Sequence, residues 1–423
     1  MSEIDPQTPP SASRTLGRTV DRHVPFAAFA AFGVFWGAWG AALPALRSSA
    51  GATDAQLGTA LLFVGVGALP AMLLSGRLLD RCGSRVVAPL LASLAAAGAV
   101  AALVARDWPS LVIGMLLVGA TSGAADVAIN AVSAQVEHET GRPVLTRAHG
   151  MFSSAVVVAS LAGGQLLSSG GGSVSDASAA GALVLTFAAA GGLVTALSVV
   201  VWRGTPHLTE RRLTQSASPP SARHPHPRGR RIGASAALVL VGAVGALAYA
   251  TENAHQSWGA VFLSDTFAAP ASSAALAPAV FAATAAVTRL TLAPLSLSHP
   301  TTMTVAGGAV AATGSVVVAT AGSAAFALIG LAVAAAGTAT LFPTLLGRAL
   351  RGVPNSERGR ATSTVSTTAY LGFLLGPAYV GLLAEASGLR GAMVGIAALA
   401  AVFTVAALSL GRRGHPSVSP DRG

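Results

Sequence analysis

Long apolar segments separated by short charged ones dominate the chain, and Ala, Gly, Leu and Val fill stretches that carry no charge. A helix that rises about 1.5 Å per residue crosses a hydrocarbon core of about 30 Å with about 20 residues. Twelve segments reach that length between charges. The predicted spans are 25–46, 56–78, 86–105, 109–136, 146–170, 180–202, 233–263, 272–295, 302–320, 323–347, 361–385 and 389–411. The pattern therefore predicts an all-helical integral membrane protein.

The basic residues fall on alternate loops of this arrangement. All 26 of them are arginines, and if both termini are cytoplasmic, only Arg47, Arg106 and Arg390 lie in outer loops. Arginine near the end of a span resists translocation, so basic loops stay in the cytoplasm. The asymmetry predicts cytoplasmic termini and accounts for the formal charge of +10 without a nucleic-acid partner.

Residues 203–232 are a long polar interruption rich in Pro, Ser, His and Arg. Such a composition cannot bury a core, which favours a solvated cytoplasmic linker over a His-based metal site. The predicted organisation is a tail at 1–24, a six-helix bundle at 25–202, the linker, a second six-helix bundle at 233–411 and a tail at 412–423. A faint repeat agrees with two halves, since Trp39-Gly40-Ala41 recurs as Trp258-Gly259-Ala260 and Arg77 is matched by Arg289 at the inner end of the eighth span.

Composition narrows the class of protein further. Hydrophobic residues make up 52% of the chain and charged residues 10%, which excludes an ordinary water-soluble enzyme. Cys82 is the single cysteine, so an internal disulfide and a cysteine-based metal site are excluded. The chain has no lysine and therefore no Walker-type phosphate loop. We expect no enzyme activity, no metal and no cofactor, and an energy source in a transmembrane gradient.

The loop between the second and third predicted spans carries the most specific motif. It reads Gly76-Arg77-Leu78-Leu79-Asp80-Arg81-Cys82-Gly83-Ser84-Arg85. Gly76 is expected to let the second span approach a neighbouring helix, and Gly83 to permit a tight reversal. The motif resembles the signature of the major facilitator superfamily. The resemblance implies a two-bundle transporter in which this loop, with Gly76, Arg77, Asp80, Arg81, Gly83 and Arg85, latches the halves on the cytoplasmic side.

Further windows are similar to the fucose permease-like branch of that superfamily. They run from Gly123 to Ala131 and from His149 to Ser153, and include Glu252-Asn253-Ala254 and the segment from Tyr370 to Pro377. Sugar-transporting members of the branch place a carboxylate in the first span. Here that position is uncharged, because the segment reads Phe35-Trp36-Gly37-Ala38-Trp39.

Two carboxylates lie well inside apolar spans, Asp126 and Glu252. A charged group facing lipid would cost about 2.5 to 3.5 kcal/mol or more, so these side chains are expected to face an aqueous cavity or to be protonated. Both are proton-coupling candidates. His149 is a third, although its position at the start of a span is equally consistent with a structural role.

Polar and aromatic side chains near the two acids are the candidates for lining a substrate cavity. Helical spacing places Asn130 and Ser133 on the face of Asp126, and Tyr249 and Gln256 on the face of Glu252. Some of these groups would equally well bond neighbouring helices together, and tryptophans near an interface are often anchors. The full set is Trp36, Trp39, Asn130, Ser133, Tyr249, Asn253, His255, Gln256, Trp258 and Tyr370.

The predicted function is secondary transport of a small solute by alternating access, coupled to protons, in the plasma membrane and by a monomer. Two alternatives stay open. One is proton-linked efflux of a drug or metabolite, and the other is a non-transporting membrane sensor on the same scaffold.

Overall fold

The computed structural model describes residues 20–169, 176–205, 231–351 and 353–413, and within those ranges it is helical and contains no β-strand. The predicted tails, apart from 20–24 and 412–413, and the linker from 206 to 230 lie outside the described residues. We refer to residues 20–205 as the first half and to residues 231–413 as the second half.

The first half contains six long helices joined by short loops. They are α1 (Val24–Ser49), α2 (Asp54–Cys82), α3 (Val87–Val104), α4 (Trp108–Thr140), α5 (Val144–Ser169) and α6 (Asp176–Gly204). The helix starts carry recognisable caps: the Thr53 side chain accepts from the Gln56 backbone N–H at α2, and Asp107 accepts from Ser110 at α4. Each helix begins and ends within a few residues of its predicted span.

The second half is less regular. Its helices are α7 (Arg231–Phe267), α8 (Ala271–Ala274), α9 (Leu276–Ser298), α10 (Pro300–Thr320), α11 (Ala324–Thr338), α12 (Leu341–Ala349) and α13 (Asn355–Arg413). The predicted span 323–347 is therefore two helices, broken between Thr338 and Leu341. Pro343 lies just after the break and, lacking an N–H, cannot donate to the Ala339 carbonyl four residues earlier.

Ten of the described helical segments are long and apolar enough to cross a bilayer. Two of them, Asp54–Val104 and Arg360–Leu410, each extend over 51 residues. The first contains the 3-10 turn Gly83–Val86, where Gly83 has φ 68°, and the second contains Gly388 with φ 72°. Glycine adopts such positive φ values without steric cost, so both positions change the direction of the chain. This chain is a multi-pass membrane protein.

Small residues allow the helices to pack closely. At Gly119 of α4 an added Cβ would lie 2.6 Å from the carbonyl carbon of Val64 in α2, so no side chain fits there. Gly76 is different. Nothing lies within 4 Å of a Cβ built on it, so the expectation that Gly76 brings α2 against a neighbouring helix is wrong.

The two halves meet closely at the end of the molecule that contains Arg47, which we call the Arg47 end. Arg47 forms ion pairs with Asp54, at 2.9 Å, and with Asp265 of the second half. The Ala55 backbone N–H donates to Glu385 at 3.3 Å. Nearby, the Ser272 N–H donates to the Ser168 hydroxyl at 2.8 Å, again across the halves. Backbones also touch, because a Cβ on Gly58 would lie 2.8 Å from the Cα of Gly381.

The opposite end carries the predicted latch loop, and we call it the Asp80 end. Contacts there join neighbouring elements of one half. Arg85 donates to the Thr205 carbonyl at 3.4 Å, and its guanidinium lies 4.7 Å from the ring centre of Trp202. In the second half Arg348 donates to the Leu410 carbonyl at 2.8 Å. These bonds tie helix ends within each half.

Candidate functional site

A cavity of about 350 Å³ lies between the two halves. Its walls come from α1, α2, α4 and α5 of the first half and from α7, α9 and α13 of the second. The volume is at the small end of the range for ligand pockets, which is about 300 to 1,000 Å³. The site is therefore large enough for a small organic solute and is shared by both halves.

Eight of the residues proposed from the sequence line this cavity: Trp36, Trp39, Asp126, Tyr249, Glu252, Asn253, Gln256 and Tyr370. These side chains come from α1, α4, α7 and α13, four helices that are distant in sequence. The cavity wall does not include five other proposed residues, which are Asn130, Ser133, His149, His255 and Trp258.

Asp126 is the charged group of the first half on the cavity wall. Its carboxylate accepts a hydrogen bond from the Asn130 side-chain amide at 3.1 Å, and the same amide donates to the Asp126 backbone carbonyl at 2.9 Å. Asn130 thus orients Asp126 from one helical turn away rather than facing the cavity. Within the described ranges Asp126 has no cationic partner.

Glu252 lines the cavity from the second half and is paired. Its Oε1 lies 2.7 Å from the Arg289 guanidinium of α9 and also accepts from Gln256 at 3.3 Å. The Arg289 Nε donates to the Ala339 carbonyl at 3.0 Å, which is the acceptor that Pro343 leaves without its helical donor. Arg289 therefore joins α7, α9 and the break between α11 and α12.

Arg289 lies near the end of the apolar segment Ala271–Leu292, in agreement with its predicted place at the end of the eighth span. α9 continues to Ser298, and Arg289 lines the cavity. Its role as a partner of Glu252 was missed, because a hydropathy pattern does not show which charged groups pair with each other. An electrostatic argument could have identified this role, because an acid in an apolar span needs a cation. Of the arginines that fall inside a predicted span, Arg289 is the one nearest to Glu252 in the sequence.

Asn253 replaces a missing helical donor near Pro377, as Arg289 does near Pro343. Pro377 lies inside α13 and cannot donate to the Phe373 carbonyl. The Asn253 side-chain amide donates to that carbonyl at 2.6 Å, and the indole N–H of Trp258 donates to the carbonyl of Pro377 itself at 3.2 Å. The carbonyl that Pro377 leaves without its helical donor is therefore satisfied by a side chain of α7.

His255 and Trp258 point away from the cavity. One His255 ring nitrogen lies 2.9 Å from the Thr251 carbonyl and the other lies 3.2 Å from the Ser315 hydroxyl of α10, so the ring packs inside the second half. Trp258 is fully buried. The two tryptophans of the faint repeat thus differ, because Trp39 lines the cavity while Trp258 holds α13.

His149 and Ser133 have local roles. The exposed His149 ring lies 2.9 Å from the Leu145 carbonyl and packs on Phe29, with ring centres 4.6 Å apart. Ser133 is buried and donates to the Ile129 carbonyl at 2.7 Å. The Ser133 bond lies within α4, and the His149 ring joins α5 to α1 outside the cavity wall.

Aromatic rings cover much of the remaining wall. Trp36 and Trp39 lie edge to face with ring centres 6.3 Å apart, and Phe32 of α1 packs on Phe152 of α5 with ring centres 5.8 Å apart. On the other side Tyr370 stacks on Phe373 with ring centres 5.2 Å apart. The cavity therefore combines flat apolar surfaces with a small number of charged groups.

The latch loop is exposed. Arg77, Asp80 and Arg81 face solvent, and Asp80 has no hydrogen bond or ion pair within the ranges that the structure covers. Gly83 has the positive φ that its predicted role in the turn requires. The described residues contain no group of three or more His, Cys, Asp or Glu side chains arranged to hold a metal ion.

A match to a family model shows to which superfamily the chain belongs. The model of the Major Facilitator Superfamily matches residues 25–348 and 241–423, which is nearly the whole chain. The chain belongs to this superfamily. The resemblance of the loop from Gly76 to Arg85 to the superfamily signature is thereby confirmed.

Individual relatives and solved structures are consistent with this membership. The chain is 29% identical over 355 residues to the uncharacterized transporter y4wD of Sinorhizobium fredii, a match that covers 82% of this chain and 87% of the relative. Among solved structures it is similar to a bacterial homologue of the human lysosomal transporter Spinster, in an inward-facing and occupied conformation, with a TM-score of 0.70, 16% identity and coverage of 92% and 96%. It is also similar to the E. coli fucose:proton symporter, with a TM-score of 0.57, 17% identity and coverage of 93% and 99%. At these identities the structures establish the fold.

Proposed function

We propose that this superfamily member is a secondary transporter that moves a small solute through the plasma membrane by alternating access, coupled to protons at Asp126. The observation that carries the proposal is the cavity shared by the two halves, with one unpaired carboxylate on its wall. A site built from both halves changes its access when one half rocks against the other. The chain functions in this account as a monomer.

The proposed topology has twelve crossings in two bundles of six, with both termini in the cytoplasm. The segments Asp54–Val104 and Arg360–Leu410 each count as two crossings, because each changes direction at a glycine with positive φ. The broken pair α11 and α12 counts as one. The Asp80 end then faces the cytoplasm, in agreement with the arginines that surround it.

In this frame the structure corresponds to an inward-facing state. The Arg47 end is closed by contacts between the halves, including the ion pair of Arg47 with Asp265. At the proposed cytoplasmic end Asp80 is exposed and forms no hydrogen bond or ion pair with the residues that the structure describes, as expected for a released latch. Asp80 and the arginines beside it would engage the second half when the transporter turns outward.

Proton coupling at Asp126 is supported by the difference between the two cavity acids. Glu252 has Arg289 at 2.7 Å, so its charge is balanced whether or not a solute is present. Among the described residues, the side-chain partner of the Asp126 carboxylate is the neutral amide of Asn130. A carboxylate inside a span without a cation is costly when charged, and a proton or a solute must offset that cost during each crossing. A membrane potential supplies about 2.3 kcal/mol per charge per 100 mV to drive such movement.

Transport itself is the test. Proteoliposomes containing the full chain are loaded with a cell metabolite extract, an imposed pH gradient drives flux, and mass spectrometry identifies the solutes that move. The wild type is expected to move a small set of solutes, and Asp126→Asn is expected to lose the part of the flux that depends on the gradient. The matched control is Glu139→Gln, which removes an exposed carboxylate from the same helix and should leave flux unchanged.

Two results would contradict the proposal. Gradient-driven flux in Asp126→Asn equal to that of the wild type would remove Asp126 from coupling. A chain that folds but moves no solute of the extract in either direction would favour the non-transporting sensor. The direction of flux in the same assay separates uptake from proton-linked efflux.

A further inference from the structure

The charges on the cavity wall do not cancel. Glu252 and Arg289 form an ion pair, so their sum is close to neutral. Asp126 remains, on the opposite wall, with an uncharged partner. Among the described lining residues no second arginine and no histidine is present. When Asp126 is ionised, the site therefore has an excess of one negative charge in a largely apolar enclosure.

Three polar side chains of the wall already form bonds within the protein. The Asn253 amide donates to the Phe373 carbonyl, Gln256 donates to Glu252, and the Arg289 guanidinium serves Glu252 and the Ala339 carbonyl. A polyol would need many free donors and acceptors around it to replace its water, since unpaired polar groups are costly when buried. These three side chains are therefore only partly available to a polyol.

The remaining surface suits a different solute. Rings of Phe32, Trp36 and Phe152 line the side of the first half, and Tyr370 and Phe373 line that of the second. Aromatic faces attract cations through their quadrupoles, most strongly where water is excluded. An anion would meet the uncompensated charge of Asp126, and the Arg289 guanidinium is already paired with Glu252.

We propose that the transported solute is a small monovalent organic cation, with a positively charged nitrogen held at Asp126 and an apolar or aromatic body packed between the rings of the two halves. The inference rests on the proposed transport function and names its substrate class. A volume of about 350 Å³ limits the solute to a compact molecule.

A single carboxylate would also couple the solute to protons. A proton and an organic cation compete for Asp126, so the site holds one or the other, and the two move in opposite directions. The other titratable or charged groups on the wall are Glu252 and Tyr249 from α7, Arg289 from α9 and Tyr370 from α13. In this account the Glu252 and Arg289 pair stays intact while the occupant of Asp126 changes.

Ligand-induced thermal stabilisation of the purified full chain tests the substrate class, because a ligand that binds the folded state raises its melting temperature. The probes are benzyltrimethylammonium, whose charge is permanent, its neutral isostere neopentylbenzene, the anion phenylacetate and the sugar L-fucose. We expect stabilisation by benzyltrimethylammonium alone. Asp126→Asn should weaken its apparent affinity by at least about tenfold, as expected for the loss of one partner of a buried charge pair.

Glu139→Gln is the control for charge removal and should leave the response to benzyltrimethylammonium unchanged. Absence of a shift with this probe, an equal shift in Asp126→Asn, or a larger shift with phenylacetate or L-fucose would overturn the cation assignment. None of these results would affect the proposed transport function, which stands or falls on solute flux in the proteoliposome assay. A variant that does not fold is recognised by its melting curve without ligand, and Asp126→Glu, which keeps the charge, should then retain the cation response.

Discussion

The bond from Asn253 to the Phe373 carbonyl offers a quantitative test of how the second half is held together. Pro377 removes the helical donor of this carbonyl, and the Asn253 amide replaces it at 2.6 Å. In Asn253→Ala the carbonyl is left without a donor. In Pro377→Ala the backbone N–H of residue 377 returns, so the Phe373 carbonyl regains its own helical bond and no longer needs Asn253.

The magnitude follows from the burial of the bond. An unsatisfied buried acceptor costs about 1 to 3 kcal/mol, while hydrogen bonds between membrane helices average about 0.6 and reach about 1.7 kcal/mol. Asn253 is only 8% exposed and its bond is short, so Asn253→Ala should cost about 1.5 kcal/mol, near the upper end of the membrane range. In the Pro377→Ala background the same substitution should cost clearly less, which gives a coupling energy of about 1 kcal/mol.

The assay is reversible unfolding of the four proteins of this double-mutant cycle in mixed detergent micelles, followed by circular dichroism. Thr251→Val is the control, because Thr251 is a buried residue of the same helix whose hydroxyl bonds within α7 to the Leu247 carbonyl. Its cost should be the same in the wild-type and Pro377→Ala backgrounds. Equal costs of Asn253→Ala in the two backgrounds would refute the view that Asn253 replaces the missing proline donor.

Two further predictions follow from individual contacts. Arg289→Gln leaves Glu252 without a cation and the Ala339 carbonyl without its donor. Because the Arg289 side chain is 44% exposed, the free energy of unfolding should fall by about 1 to 2 kcal/mol, which is less than the loss of about 3 to 5 kcal/mol expected for a fully buried pair. Adding Glu252→Gln should recover part of this loss, and no recovery would mean that charge pairing contributes little. Gly119→Val places a side chain against the Val64 backbone and should cost at least about 1 to 3 kcal/mol, whereas Gly150→Ala, where nothing lies within 4 Å, should be neutral or stabilising in the same melting assay.

The helices of the first half could be predicted from the sequence because their signal is local. Charged loops bound each apolar run, and cap residues such as Thr53 and Asp107 define where helices begin. The second half was harder. The break at residues 339–340 is accompanied by a tertiary contact that replaces a helical hydrogen bond, the bond of Arg289 to the Ala339 carbonyl.

Only some of the residues that line the cavity could be predicted, and the reason is the geometry of the helix. At about 100° per residue, Tyr249, Asn253 and Gln256 fall on one side of Glu252, while His255 and Trp258 fall about 60° and 120° beyond it on the other. Choosing residues close to Glu252 in the sequence therefore included both sides of α7. Only the packing of α10 and α13 shows which side of the helix lines the cavity.

Asn130 was selected for sharing the face of Asp126, but the cavity meets α4 only from Ser122 to Asp126. Where a cavity ends along a helix is set by the opposing half. No local pattern in α4 contains that information.

Alternating access around the shared cavity is the central claim, and spin-label distances test it most directly. In a Cys82→Ser background, one pair of labels at Ser48 and Ala386 reports on the Arg47 end, and a second pair at Arg81 and Glu357 reports on the Asp80 end; all four positions are exposed. Double electron–electron resonance in proteoliposomes should give two populations in which one distance lengthens as the other shortens, with Arg47→Ala favouring the population open at the Arg47 end. A single fixed pair of distances, or distances that lengthen and shorten together, would contradict the account.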